Sequence, residues 1–175
     1  SFGFNTLAIV DNKPKTCNLK EFLENFLRFR EDVVVKKTKF ELKKAESRAH
    51  ILIGLSVSVE NLDKVIKLIR SSKTPEDAKK SLLKIKLKIS KSRKLIKLVE
   101  NKKSLNQYSF SESQVNAILE LRLQKLTALG ISEIEIEISK LANLIIKYKK
   151  IINSKKELLK VISQELNNIK EKYSV

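Results

Sequence analysis

Residues 131–140 read ISEIEIEISK. Apolar and polar residues alternate from 133 to 139, the period of a half-buried strand. The residues that follow decide otherwise. Ile134, Ile138, Leu141, Ile145, Tyr148 and Ile152 recur at steps of four, three, four, three and four. Leu159, Ile162, Leu166, Ile169 and Tyr173 carry that register on, with Lys155 the one discordant site. This is the seam of a coiled coil over nearly six heptads, far too long for a strand. Ser132 and Glu135 suit its start. Ser154 and Glu157 form a second capping pattern, so a break is expected at 153–154.

A seam needs a facing helix, and the first half of the chain offers one. Asn18 with Glu21 has the capping-box spacing, and no proline interrupts residues 19–70. As one helix they would extend about 78 Å. Leu19, Phe26, Val33 and Phe40 repeat every seven residues, with Phe22 and Phe29 between them. Ala45, Ala49, Leu52, Val59, Leu62, Ile66 and Ile69 form a second stripe in a shifted register, as at a stutter. Gly54, costly inside a helix by about 1 kcal/mol, marks a kink or a close helix approach. Before this helix, FNTLAIV, DNKP and KTCN read as strand, turn and returning strand.

Between the long helices, Thr74-Pro75-Glu76-Asp77 is a helix start, with proline at the first position and acids in the first turn. Residues 78–103 hold ten lysines, Arg93 and one acid, Glu100. KIKLKIS there alternates like an edge strand, yet Leu82, Ile85, Ile89, Ile96 and Val99 fit helical steps, and a helix is expected. Residues 101–108 read as a loop. Ser111 and Gln114 cap a leucine-rich helix that runs to Gly130, a C-cap glycine. Its residues Ile118, Leu119, Leu121, Leu123, Leu126 and Leu129 cover an apolar arc of about 200°, where a helix on one core needs little more than 100°.

The expected fold class is mainly α: a long antiparallel two-helix coiled coil, a small helical globule at its tip, and a short N-terminal β-hairpin. Residues 1–18 form the hairpin, 19–70 the outgoing helix, 71–130 the globule and 131–175 the returning helix. The surplus apolar arc points to an identical tip across a two-fold axis. Ile118, Leu119, Arg122, Leu123, Leu126 and Leu129 are the expected dimer contacts.

Composition agrees with long helices. Apolar residues make up 42% and charged residues 33% of the 175, with 3 Gly and 2 Pro. There is no Met, and the abrupt start at Ser1 reads as an internal piece of a longer chain. No apolar run approaches the ~18 residues of a membrane span. Cys17 stands alone, so it forms no internal disulfide and reads as a free thiol in a reducing cytosol. The net charge of +17 suggests a polyanionic partner. Only six of the 37 basic residues are Arg, however, and abundant Lys, Ile and Asn also mark an A/T-rich genome.

The stretches RAHILIGL (48–55), LIR (68–70), TPEDAK (74–79) and AILELRLQKLT (117–127) occur in an order that resembles the A subunits of bacterial type II topoisomerases. They are closer to the DNA gyrase pattern than to topoisomerase IV. The likeness spans nearly the whole chain. It implies the coiled-coil arm and exit gate (C-gate) of an ATP-dependent enzyme that supercoils DNA, with residues 1–18 as the last hairpin of a preceding tower domain. The implied partners are a second copy through the tip, double-stranded DNA and the gyrase B subunit, in the cytoplasm and with no membrane. ATP and Mg are implied on the cleavage core and the partner subunit, and no cofactor in this chain. The catalytic tyrosine is implied to lie upstream. Tyr108, Tyr148 and Tyr173 do not match it; the last two fall on the seam, and Tyr108 falls in the loop.

No catalytic or metal-binding constellation is legible. His50, the single histidine, sits on the long helix and reads as a packing or hydrogen-bonding residue. Glu133, Glu135 and Glu137 spread around a helix. Arg28, Arg30, Lys36 and Lys37, near the hairpin, suit DNA phosphate contacts or a solvated face. The rival functions are a topoisomerase IV arm, an independent basic coiled-coil protein that binds nucleic acid, and a structural adaptor.

Overall fold

The computed structural model of the chain describes residues 3, 5–90, 92–100, 107–121 and 131–174. The fold is mainly α with an N-terminal hairpin. Its elements divide between two compact units, residues 1–41 with 147–175, and residues 42–146.

In the first unit, β1 (Leu7–Val10) pairs antiparallel with β2 (Lys13–Thr16). The two turn residues Asp11 and Asn12 both have positive φ, 51° and 64°. Tight two-residue hairpins demand that conformation, and Asp and Asn tolerate it. The Thr6 hydroxyl donates to the Cys17 carbonyl, the Cys17 amide donates back to Thr6, and the Cys17 thiol is buried. Asn18 and Glu21 then form the expected capping box, each side chain accepting from the other's backbone N–H at 2.8 and 3.0 Å. From it springs α1 (Leu19–Glu60), 42 residues and about 63 Å long.

The first unit's core joins Val34 of α1 to Ile151, Leu158 and Ile162, with Val35, Tyr148 and Val161 packed around them. Ile151 belongs to α6 (Ile131–Asn153), and Leu158 and Ile162 to α7 (Lys155–Tyr173). Arg30 of α1 pairs there with Glu165 of α7. The break at 153–154 is present, and the Ser154 side chain accepts from the Glu157 amide.

The register differs from the heptad reading. Leu19, Phe26 and Phe40 are exposed, and Val34 and Thr38 are buried instead. Ile151 and Leu158 turn inward rather than Ile152 and Leu159, while Leu166, Ile169 and Tyr173 stay exposed. The cause is degeneracy. Val33-Val34-Val35, Ile151-Ile152 and Leu158-Leu159 are runs of equal hydropathy. Only packing against the facing helix selects one member of each.

In the second unit the core is Ile53, Val57, Val65, Leu82, Leu87, Ile96, Val115, Ile118 and Ile138, all nearly or wholly buried. Arg48 of α1 pairs here with Glu137 of α6. The expected helix over 19–70 stops ten residues early. The Asn61 side chain donates to the carbonyls of Val57 and Lys88, competing with helical bonding, and α2 (Leu62–Ser71) starts afresh.

Helix α3 (Pro75–Lys84) has the expected cap, Thr74 accepting from the Asp77 amide, and packs on α2 and on α5 (Glu112–Glu120). The helix expected through 78–103 is interrupted. After Lys84 the chain extends, and β3 (Leu87–Lys88) pairs antiparallel with β4 (Gln107–Tyr108) before α4 (Ser92–Glu100) begins. Here the alternation of KIKLKIS prevails, because Leu87 and Ile89 reach the core while the lysines stay outside.

Candidate functional site

Helix α5 carries the described part of the leucine-rich stretch. Ser111 and Gln114 form a complete capping box. Gln114 does more than cap. It is fully buried, and its Nε2 donates to the His50 carbonyl at 2.7 Å and to the Tyr108 hydroxyl at 2.8 Å. The His50 ring Nε2 lies 2.7 Å from Ser111 Oγ. Gly54, one turn beyond His50, lets the Gln114 stem press onto α1: a Cβ there would stand 2.8 Å from Gln114 Cγ. The expected close approach at Gly54 is therefore made by a buried glutamine.

Ile118 is 1% exposed and sits in the core of its own unit. That corrects its assignment as a dimer contact, since its surface is already consumed within one chain. Leu119 and Leu121 are half-buried against the same core. The expected single helix to Gly130 is also corrected. Helix α5 ends at Glu120, and Leu121 is extended at φ −72° and ψ 126°. No Gly or Pro signals that stop. Arg122, Leu123, Leu126 and Leu129 lie outside the described residues. The chain leaves the described structure at Leu121, and Leu121, Glu133 and Ile134 border one groove.

A second polar cluster fixes the start of α4. Ser90 and Ser92 each donate a backbone N–H and a hydroxyl to the Glu60 carboxylate, at 2.5–3.2 Å. Glu60 thus caps a helix remote in sequence, where negative charge complements the N-terminal dipole. Burial pushes its pKa up, but those four hydrogen bonds prevail and hold it at about 2. Neither Gln114 nor Glu60 is marked as a tertiary anchor by spacing alone. The capping pattern finds Gln114 only in its local role.

Of the cations near the hairpin, Arg28 reaches Asp11 at 3.4 Å, and Arg30 and Lys37 converge on Glu165. Lys36 is exposed. Tyr108 lies on β4, buried, rather than in a loop. Tyr148 packs on the first unit's core, and Tyr173 is 69% exposed, off the expected seam. Among the described residues no three His, Cys, Asp or Glu side chains cluster to hold a metal ion. Among the described residues the arrangement offers helix-docking locks and cations.

Residues 1–167 match the family model for the A subunit of DNA gyrase/topoisomerase IV. The chain belongs to this family. Gyrase relatives cover almost all of it: the DNA gyrase A subunit of Rickettsia felis is 41% identical over 99% of the chain, that of Clostridium acetobutylicum 39% over 99%, and that of Lawsonia intracellularis 41% over 99%. The chain spans about a fifth of each of these relatives, 20%, 18% and 18% of their lengths. The family match takes in both polar clusters and all of residues 117–130. No helix among the described residues is long and apolar enough to cross a membrane.

Proposed function

We propose that this chain is the exit-gate arm of a DNA gyrase A subunit. Residues 19–70 and 131–175 act as the two limbs of the arm, and residues 71–130 as its gate. The gate holds two subunits together and opens to release the transported DNA segment during ATP-dependent supercoiling in the cytoplasm. The cleavage core and the B subunit supply ATP, Mg and the bond chemistry, and this chain supplies none.

The observation that carries the reading is the locked placement of α5. Gln114, His50 and Ser111 tie its N-terminus to α1. The apolar stretch that follows, with Leu123, Leu126 and Leu129, begins from a rigid base. An interface built on that stretch would part without exposing Val115 and Ile118, which are already buried within one chain. Leu119, Arg122, Leu123, Leu126 and Leu129 are the proposed contacts. Arg28, Arg30, Lys36 and Lys37 are proposed phosphate contacts of the limb near the hairpin, with Lys36 the most available.

Sedimentation equilibrium over a dilution series tests the gate. The expected result is a species of twice the 20.1 kDa chain mass that persists on dilution. A folded monomer throughout overturns it.

A further inference from the structure

Lys84, Lys86 and Lys88 are exposed, while Ile85 is half-buried and Leu87 and Ile89 are buried. Lys84 closes α3, Lys86 lies in the link and Lys88 on β3, and all three face outward. Lys88 and Arg93 border one groove with Gln107, and Lys97 lies one turn beyond Arg93 on α4.

The acid in that groove, Glu60, is held by Ser90 and Ser92. Lys79, which precedes the row, is engaged by Glu112 at 2.6 Å. Among the described residues no carboxylate pairs with Lys84, Lys86, Lys88 or Lys97.

We propose that Lys84, Lys86, Lys88 and Lys97, with Arg93, form a sequence-independent contact for the sugar–phosphate backbone of duplex DNA. Each lysine supplies a point charge to phosphate and no base contact, so binding releases counterions and falls steeply with salt. Among the described residues the lysine row has no carboxylate partners and no large exposed apolar side chains beside it. That fits a uniform polyanion better than a lipid surface, which would also take up apolar groups. The choice of DNA rests on the gate reading, in which DNA passes this unit; the row itself does not.

The test is fluorescence anisotropy of a labelled duplex of about 20 base pairs with the whole chain, titrated over a range of salt. K84Q/K86Q/K88Q should weaken binding and reduce the slope of log K against log salt by about 2–3, near 0.9 per lost phosphate contact. K13Q/K147Q/K170Q removes the same charge from the first unit and should change the slope by less than half as much. K88Q/K97Q serves if the triple variant loses its helical circular dichroism, with an expected slope change of about 2. Equal losses in the row and control variants overturn the proposal. So does absence of duplex binding at about 50 mM salt, where several phosphate contacts give measurable affinity. So does tight binding to vesicles rich in acidic phospholipid that duplex does not displace. Sedimentation reads the gate separately: a dimer that ignores DNA sinks only this proposal, and a monomer that binds through the row sinks only the gate.

Discussion

A methyl group on Gly54 would meet the Gln114 side chain at 2.8 Å, and Gln114 has nowhere to go. Its amide is bound to the His50 carbonyl and the Tyr108 hydroxyl, and its Oε1 to the Ser111 amide. Gly54→Ala gains about 1 kcal/mol of helix propensity. Overpacking against a fixed side chain costs about 1–3 kcal/mol. The expected outcome is a net loss of up to about 2 kcal/mol, read by urea denaturation. In a double-mutant cycle, Gln114→Gly, which removes both the Cγ at 2.8 Å and the Cβ at 2.9 Å, should absorb most of that loss. An additive cycle would mean the two residues do not press on each other.

Glu60 makes stability depend on acid pH. Its folded pKa of about 2 lies below the ordinary 4.5, so the unfolded chain binds more protons between those values. The stabilisation is fully present above pH ~4.5 and is lost as pH falls toward about 2. Glu60→Gln should cost about 1–3 kcal/mol at neutral pH, as charge-assisted bonds become neutral ones. The gap between the variant and the parent should narrow as pH falls. Glu21, Glu112 and Glu157, also lowered by their partners, are common to both proteins and cancel in the difference. A gap constant from pH 7 to about 2 would deny Glu60 this role.

Leu123→Asp with Leu126→Asp should convert the proposed dimer to a monomer and leave the helical circular dichroism intact. Buried carboxylates are far costlier than leucine at an apolar interface. The proposed contact would be misplaced if the sedimenting mass were unchanged.

The register of α1 has its own test. Phe29 is 64% exposed, whereas Ile138 is fully buried. Phe29→Ser should shift stability by about 0.5 kcal/mol or less, as at other surface positions. Ile138→Ala should cost about 2–5 kcal/mol. Losses of similar size would restore the aromatic stripe to the seam.

The local features of this fold were legible in the sequence. Asn18 with Glu21, Thr74 with Pro75, Ser111 with Gln114 and Ser154 with Glu157 each set a helix start through contacts spanning three residues. Such signals are complete within a short segment, so spacing alone carries them. The period of residues 134–152 likewise overrode the strand-like ISEIEIEISK. The family resemblance rested on stretches within residues 48–127, and the match over 1–167 bears it out.

Tertiary structure decided what no local pattern encodes. Val34 and Leu158 were chosen over equally apolar neighbours by the helix they face. Asn61 ended α1 by reaching the Lys88 carbonyl, and Glu60 started α4 from 32 positions away. The core took Ile118 from the surface that its apolar arc had promised to a partner. Each outcome depends on which groups meet across the interior. The energy of a hydrogen bond or a buried contact resides in both partners, and a sequence read along one segment holds only one of them.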